Sequence, residues 1–179
     1  CADGVNSLMR TRFAEGFQPQ IDWRPNRFVW LGTTATFPAF TFYFDENEHG
    51  LFRVHAYQYA KEPEKSGAIS TFIVECTEET WKKAGLDQAD EATTLAYCQK
   101  LFGKRLGDHR LIANRSVWRS FPTIDCKQWS QKLPRPGGGI AHLVLLGDAV
   151  HTAHFSIGSG TKLALEDAIT LRDAIVEHP

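Results

Sequence analysis

Apolar and polar residues alternate with a period of two along much of the middle of the chain. Such alternation, with many β-branched and aromatic side chains, is typical of strands with one packed face. A turn-rich connector at residues 45–50 separates two of these strands, and residues 11–27 are polar and irregular. The pattern predicts an antiparallel meander. Its strands are residues 28–34, 39–44, 51–59 and 68–75, with further extended segments at 111–121 and 124–129.

Two stripes of side chains on these strands are open to more than one interpretation. Phe40, Phe42 and Phe44 share one face of the second strand, and we expect them to form core, with a wall of a substrate pocket as the alternative. His55 and Tyr57 share a face of the next strand, where the polarity favours a solvent-exposed surface over a pocket. Neither stripe is assigned to a site from the pattern alone.

Two helices are predicted after the meander. Thr77 is suited to cap the first helix, because its hydroxyl can accept from a free N–H group, and Glu78 and Glu79 follow in the first turn. This helix is expected to stop at Gly85. The second helix is expected to run over residues 88–102. Together with the strands, these helices predict a sheet covered by helices.

The last third of the chain carries the most informative pattern. An apolar strand at residues 143–146 ends in Gly147 and Asp148, and a Gly-Ser-Gly turn at 158–160 opens a helical segment at 163–168. Free N–H groups and the positive end of the dipole face outward at the start of a helix, and glycines let the backbone approach a ligand closely. An aspartate at a strand end can accept hydrogen bonds from sugar or ribityl hydroxyls. The arrangement therefore indicates a site for an anionic or polar cofactor.

Composition and charge restrict the remaining classes of function. The chain has 179 residues, of which 42% are hydrophobic and 23% charged, as in an ordinary globular protein. The formal net charge of −1 favours neither nucleic acid nor an anionic membrane as partner. No apolar run approaches the roughly 20 residues that a membrane span needs. The four cysteines have no C-x-x-C spacing, which favours free thiols in a reducing cytoplasm over disulfides, and we predict no metal site.

Two short motifs, one at each end of the chain, resemble the paired signatures of the flavoprotein aromatic hydroxylases, which are single-component FAD monooxygenases. The Asp-Gly-x-x-Ser-x-x-Arg signature is matched at Asp3, Gly4, Ser7 and Arg10. The Gly-Asp-Ala-x-His signature and its continuation are matched at Gly147, Asp148, Ala149, His151, Gly158, Gly160, Asp167 and Ala168.

This resemblance implies a fold and a division of the chain. The fold class is α/β, as layered α+β: a partial para-hydroxybenzoate-hydroxylase-like fold that binds FAD and NAD(P)H. Residues 1–24 and 139–179 would be segments of the FAD domain. Residues 25–138 would be an antiparallel substrate-binding domain whose sheet roofs the active site, with the flavin ring below it.

The resemblance also implies roles for individual residues. Asp148 would hold the ribityl or pyrophosphate part of FAD, and His151, the catalytic candidate, would orient the loop or line the site. Asp3 and Arg10 would contact FAD and help NAD(P)H to engage. The helix start would face the pyrimidine end of the flavin and stabilise its anionic reduced form. The remaining residues expected to bind cofactor are Gly4, Ser7, Gly147, Ala149, Gly158, Ser159, Gly160, Thr161 and Lys162.

Three stretches, at residues 30–33, 40–44 and 151–162, are similar to the hydroxylases of aryl-CoA thioesters. They imply a small aromatic substrate, held as a CoA thioester such as salicylyl-CoA and hydroxylated with NAD(P)H and O2. The chain departs from the wider family at Phe155, where many members have proline, and at Lys162, where many have asparagine.

The Gly-x-Gly-x-x-Gly turn that holds the FAD pyrophosphate in this family does not occur in the sequence. We therefore expect an internal fragment of a larger enzyme that is inactive as an isolated chain. Two alternatives stay open. One is a related flavoprotein reductase or halogenase, and the other is a catalytically inactive substrate-binding module. Formation of a homo-oligomer is also left open.

Overall fold

The computed structural model of the protein describes residues 1–62 and 67–177. Two short 3-10 helices span Gly147–Ala149 and Phe155–Ile157. The α-helices are α1 (Leu8–Arg12), α2 (Ala14–Phe17), α3 (Glu78–Lys83), α4 (Glu91–Leu101), α5 (Gly103–Leu106) and α6 (Gly160–Glu177). The strands are β1 (Pro19–Trp23), β2 (Arg27–Thr33), β3 (Thr41–Asn47), β4 (Gly50–Gln58), β5 (Ser70–Cys76), β6 (Leu111–Ile112), β7 (Pro122–Cys126), β8 (Ser130–Pro134) and β9 (Ile140–Val144).

The chain divides into two compact units. The motif unit comprises residues 1–24 and the chain from residue 122 onward, and the sheet unit comprises residues 25–121. A boundary at residue 138 was expected, but the structure divides the chain before residue 122. The reason is pairing, because β7 pairs with β1 and β8 pairs with β9, so both strands belong with the motif unit.

The sheet unit is built on a five-stranded antiparallel sheet in the order β3-β4-β5-β2-β6. The predicted antiparallel pairing and the mixed α/β class are confirmed. The predicted meander holds only for β3, β4 and β5, because β2 pairs with β5 and not with β3, the next strand along the chain. One face of the sheet packs on α4 and α5, because alternate residues of each strand point to that side. The core between them includes Val29, Leu31, Val54, Phe72, Val74, Cys98, Phe102 and Leu106.

We call the other face of this sheet the open face, because the aromatic stripe at its β3 edge is exposed. The residues of β5 on this face, Thr71, Ile73 and Glu75, are buried. Phe42 and Phe44 are 45% and 57% exposed, so the prediction that the stripe forms core is wrong. The register explains the difference, because Tyr43 pairs with Val54 on the helix side and Phe42 therefore lies beside His55 on the open side. Tyr43 packs against the core in place of the phenylalanines.

His55 also differs from expectation. It lies on the open face, but only 3% of its surface is exposed, so its prediction as a solvent-exposed residue is wrong. The ring of Phe42 meets the imidazole edge-on, with ring centroids 5.0 Å apart, and Phe40 lies 6.5 Å away. The exposed phenylalanines thus cover the histidine from solvent.

Side chains cap two helices of the sheet unit, α3 and α4. Thr77 accepts from the backbone N–H of Thr80 at 3.1 Å, as predicted, and Asp90 caps α4 in the same way. Gly85 follows α3 with φ of +68°, a left-handed conformation that suits glycine. The extended segment predicted at 111–121 is reduced to β6 and one isolated bridge.

The motif unit has a smaller core and two two-stranded sheets. The fully or almost fully buried residues of its core are Phe17, Ile124, Cys126, Leu145, Ala149 and Val150. Strand β1 forms within the segment expected to be irregular, because its backbone pairs with β7. Helix α6 begins at the predicted Gly-Ser-Gly turn, and none of its residues is buried. Within the described residues, no helix is both long and apolar enough to cross a bilayer.

Candidate cofactor site in the motif unit

The end of β9 is joined to the first residue of the chain. The amino group of Cys1 donates to the carbonyl oxygen of Val144, and the N–H of Leu146 donates to the carbonyl oxygen of Cys1 at 2.9 Å. These two bonds flank Leu145 in the manner of a parallel ladder. Leu145 itself is fully buried, so the segment that leads into Gly147 is held from both sides.

Gly147 allows a close approach between this segment and α6. Its φ is +59°, and a methyl group added to it would lie 3.1 Å from the Cβ atom of Ala164. Its N–H donates to Oδ2 of Asp167, two turns into α6, at 2.8 Å. A residue with a side chain would meet both a backbone and a contact penalty here.

The same carboxylate holds His151. Nε2 of His151 lies 2.9 Å from Oδ2 of Asp167. Because an ionised carboxylate only accepts hydrogen bonds, Nε2 must carry the proton in this contact. The imidazole stacks on the indole of Trp129, with ring centroids 4.8 Å apart and planes at 18°. The structure thus gives His151 a role in fixing the loop to α6, and its catalytic role stays a prediction.

Arg10 joins the two motifs. Its residue surface is only 5% exposed, and Nη1 donates to the carbonyl oxygen of Ala149 at 2.8 Å and lies 3.5 Å from that of Asp148. Nη2 donates to the carbonyl oxygen of Val5. The guanidinium therefore binds backbone from both signatures, and direct contact with FAD stays a prediction.

The first motif forms a cap on α1. Oγ of Ser7 accepts from the N–H of Arg10 at 3.0 Å, and Oδ2 of Asp3 accepts from the N–H of Leu8 at 2.9 Å. Gly4 has φ of +79°, and its carbonyl oxygen accepts from Ser7 N–H. The hydrogen bond from the Ser7 side chain lowers the pKa of Asp3 below its usual range, and the backbone N–H donors make a smaller contribution in the same direction.

Asp148 and Ala149 face opposite ways. Ala149 is fully buried in the core of the motif unit, whereas Asp148 is exposed. Within the described part of the chain, no hydrogen bond or ion pair is formed by the Asp148 carboxylate. Its oxygens are therefore available to accept from hydroxyl groups of a ligand.

The turn before α6 is open. Gly158 has φ of +70°, and a Cβ atom on Gly158 or Gly160 would meet no atom within 4 Å. Ser159 accepts from the N–H of Leu163 at its carbonyl oxygen, which starts the helix. Thr161 and Lys162 are exposed, and Nζ of Lys162 pairs with Glu166 one turn later. The backbone at the start of the 18-residue helix α6 is therefore open around its glycines.

Sequence reasoning missed the contribution of Trp129 and assigned no contact to Asp167. The position of Asp167 carried a signal, because seven residues separate it from Gly160 and two helical turns return a side chain to the same face. Trp129 lies far from the motif in sequence, and backbone pairing of its segment with β9 and with the loop at His151 brings it close.

No protein-family model matches the chain. Three curated relatives do. Salicyloyl-CoA 5-hydroxylase of a Streptomyces species is 42% identical over 98% of this chain and 32% of its own length. Protodeoxyviolaceinate monooxygenase of Chromobacterium violaceum is 36% identical over 97% of this chain and 43% of its own. The 3-hydroxy-4-methyl-anthranilyl-[aryl-carrier protein] 5-monooxygenase of Streptosporangium sibiricum is 36% identical over 99% of this chain and 43% of its own length.

The resemblance to the aromatic monooxygenases is confirmed. The chain spans 32–43% of the length of these relatives. Among solved structures, it is similar to the flavin-dependent brominase Bmp2, with a TM-score of 0.61 and 12% identity over 98% of this chain and 42% of that one. The flavin-dependent halogenase CmlS gives a TM-score of 0.60 with 16% identity, over 97% of this chain and 29% of that one. At these identities the likeness is one of fold.

Proposed function

We propose that this chain is the part of an FAD-dependent aromatic monooxygenase in which the motif unit contacts the flavin and the sheet unit contacts the aromatic substrate. The observation that carries the proposal is the joining of the two signatures through Arg10, which leaves Asp148 and the start of α6 open beside them. The para-hydroxybenzoate-hydroxylase-like fold and the assignment of the two units to FAD and substrate belong to this proposal.

The chemistry of the open groups fits a flavin nucleotide. The Asp148 carboxylate accepts from ribityl hydroxyls, and the N–H groups at Gly160 and the next residues donate to a negatively charged part of the cofactor. The absence of side chains at Gly158 and Gly160 lets a planar ring approach the backbone. When bound and reduced, the flavin supplies the activated oxygen that is transferred to the ring, with NAD(P)H as the proposed reductant.

The names of the relatives support an aromatic acyl substrate. Two of them specify a CoA ester or an aryl-carrier-protein ester of an aromatic acid. We therefore propose an aromatic acyl thioester, with salicylyl-CoA as the first compound to assay. A cytoplasmic location is proposed with it, because the four cysteines are free.

A flavin titration tests the proposal. FAD is added to the purified chain and followed by absorbance, fluorescence quenching and retention on a filter. Asp148→Asn should weaken FAD binding about tenfold, because an anionic acceptor of hydroxyl groups is replaced by a neutral one. Asp108→Asn, at an exposed aspartate of the sheet unit, is the matched control and should leave affinity unchanged.

The outcomes separate the alternatives. Retention of FAD that depends on Asp148 supports the proposal, and turnover assays with NAD(P)H and salicylyl-CoA then distinguish a monooxygenase from a reductase or halogenase. If FAD is not retained, the chain itself does not hold the cofactor, and the inactive substrate-binding module becomes the better description.

A further inference from the structure

The open face of the five-stranded sheet carries an ordered arrangement of side chains. Strand pairing aligns Phe44, Arg53 and Glu75 in one row across β3, β4 and β5. The next row contains His55 between Phe42 and Ile73 and continues to Trp30 on β2. We call this surface the aromatic face, and it lies wholly within the sheet unit.

Glu75 is a buried charge in this face. Only 2% of its side chain is exposed, and Oε1 accepts from Nη2 of Arg53 at 2.7 Å and from Nδ2 of Asn26 at 2.7 Å. Nε2 of His55 lies 3.3 Å from Oε2. A buried carboxylate is tolerated when opposite charge and hydrogen bonds compensate it, and here Arg53 supplies both.

Arg53 connects this buried charge with the surface. Its side chain is 36% exposed, and a guanidinium has five N–H donors in a rigid fork. Among the described residues, the guanidinium of Arg53 donates a hydrogen bond to Glu75 alone. Arg53 therefore offers further N–H donors to a ligand while its charge is neutralised by Glu75.

Aromatic side chains lie on the same face of the sheet as Arg53, and Phe44 is its direct cross-strand neighbour. Phe40 stacks on Tyr57 with centroids 5.3 Å apart and planes at 16°. Trp30, Phe42 and Phe44 are each about half exposed, which leaves apolar ring surface beside a polar donor. Exposed apolar patches with a few fixed polar groups are typical of ligand-binding surfaces.

We propose that the aromatic face binds the aromatic acyl group of a thioester and that the Arg53–Glu75 pair selects it against the free carboxylic acid. The ring lies on the exposed aromatic side chains, and the Arg53 fork donates to the acyl carbonyl oxygen. This inference rests on the proposed function for its substrate class. Glu75 is a positioning residue, because it acts through Arg53.

The selectivity follows from charge. An unpaired arginine favours a carboxylate strongly, but Arg53 and Glu75 together carry no net charge. The pair therefore presents donors to a neutral carbonyl oxygen and gives little net attraction to an anion. The Glu75 carboxylate also repels the negative charge of a free acid, which disfavours the competing ligand.

Binding of two probes to the 179-residue chain tests this inference without flavin. The probes are the N-acetylcysteamine thioester of salicylic acid and salicylate itself, at about pH 8, where an ordinary imidazole is neutral. NMR titration follows the indole N–H of Trp30, which Trp30→Phe identifies. The thioester should bind at least about tenfold more tightly than salicylate, a ratio that corresponds to about 1.4 kcal/mol.

Glu75→Gln supplies the decisive variant. Glutamine keeps the size and an oxygen acceptor for Asn26 and Arg53 but removes the compensating charge. The preference for the thioester should fall by about tenfold or reverse in favour of salicylate. Glu79→Gln, at an exposed glutamate of α3, is the matched control and should retain the wild-type ratio.

Three results would overturn the inference. They are a thioester that leaves the Trp30 signal unchanged, a wild-type chain that prefers salicylate, and a folded Glu75→Gln chain with an unaltered ratio. Arg53→Lys, which retains charge without the fork, should weaken thioester binding and give an independent measurement if Glu75→Gln does not fold. Because the FAD titration reports on the motif unit, failure there and failure here are distinguishable.

Discussion

Arg10→Met is expected to loosen the motif unit before it affects anything else. The guanidinium donates hydrogen bonds to the buried carbonyl oxygen of Ala149 and to the partly buried one of Val5, and it makes a longer contact to that of Asp148. Hydrogen bonds to a charged group contribute about 1.5–3 kcal/mol each, and a buried carbonyl left without a donor loses a similar amount. We therefore expect the free energy of unfolding of the motif unit to fall by about 3–5 kcal/mol.

Hydrogen exchange measured by mass spectrometry is the appropriate assay, because it reports each unit separately. Protection of residues 143–150 should fall in Arg10→Met, while peptides of the sheet unit should keep theirs. Arg10→Lys should recover only part of the loss, since one ammonium group lacks the planar fork that spans both carbonyls.

Arg12→Met is the matched control on the same helix. Arg12 is exposed and lies over the ring of Phe13, 5.8 Å from its centroid, so its loss should change stability by less than about 0.5 kcal/mol. Equal effects of the Arg10 and Arg12 substitutions would refute the reasoning. If Arg10 acts by direct contact with FAD, Arg10→Met should lose FAD affinity while the protection of the chain without FAD is unchanged.

Three further predictions follow from local geometry. Gly147→Ala should lower stability by about 2 kcal/mol in urea unfolding, because it combines a left-handed φ with a close contact to α6. Burial raises the pKa of Cys76 and of Cys98 to about 12, so at about pH 8 a thiol reagent should modify exposed Cys1 quickly and these two only on unfolding. Native hydrogen bonds lower the pKa of Asp3 in the folded chain. The stability that Asp3 contributes is therefore full above its unfolded pKa of roughly 3.9 and is lost as pH falls through the lower folded pKa. Asp3→Asn should remove this pH dependence of stability in acid unfolding.

Each of these predictions has a control within the chain. Gly85→Ala shares the left-handed φ but meets no atom within 4 Å, so it should cost less than Gly147→Ala, and equal losses would contradict the contact argument. Fast modification of two or more thiols in the folded chain would contradict the burial of the cysteines. Asp108→Asn should leave the pH dependence of stability in acid unchanged. If it weakens this dependence as much as Asp3→Asn does, the assignment to Asp3 is contradicted.

The sequence allowed the strands, the Thr77 cap and the start of α6 to be predicted because each signal is local. Alternation reports a strand, a hydroxyl before Glu78 reports a cap, and glycines before α6 report a turn. The two signatures were likewise recognisable, because each is a short run of residues. Their joining through Arg10 was not predictable, because 139 positions separate it from Ala149.

The sequence predictions were wrong at residues whose burial or strand structure depends on how the strands pair. The alternation on β3 is the same whichever face is packed, so only its register with β4 reveals that Tyr43 faces the helices and Phe42 faces outward. Strand β1 has little hydrophobic signal of its own and forms against β7. The burial of His55 depends on side chains from the neighbouring strand that cover it.

The opposite orientation of neighbouring residues on β4 has a consequence for how this protein can change. Phe52, Val54 and Ala56 are fully buried on the helix side, so substitutions there act on folding. Arg53 and Tyr57 alternate with them and face the other way. Under the proposed function, mutations at Tyr57 or at the facing positions of β3 would alter the preference for one acyl group over another while the folded scaffold is retained. A change at Arg53 would in addition remove the charge that compensates buried Glu75. Ligand preference and folding can therefore evolve as largely separate traits within a single nine-residue strand.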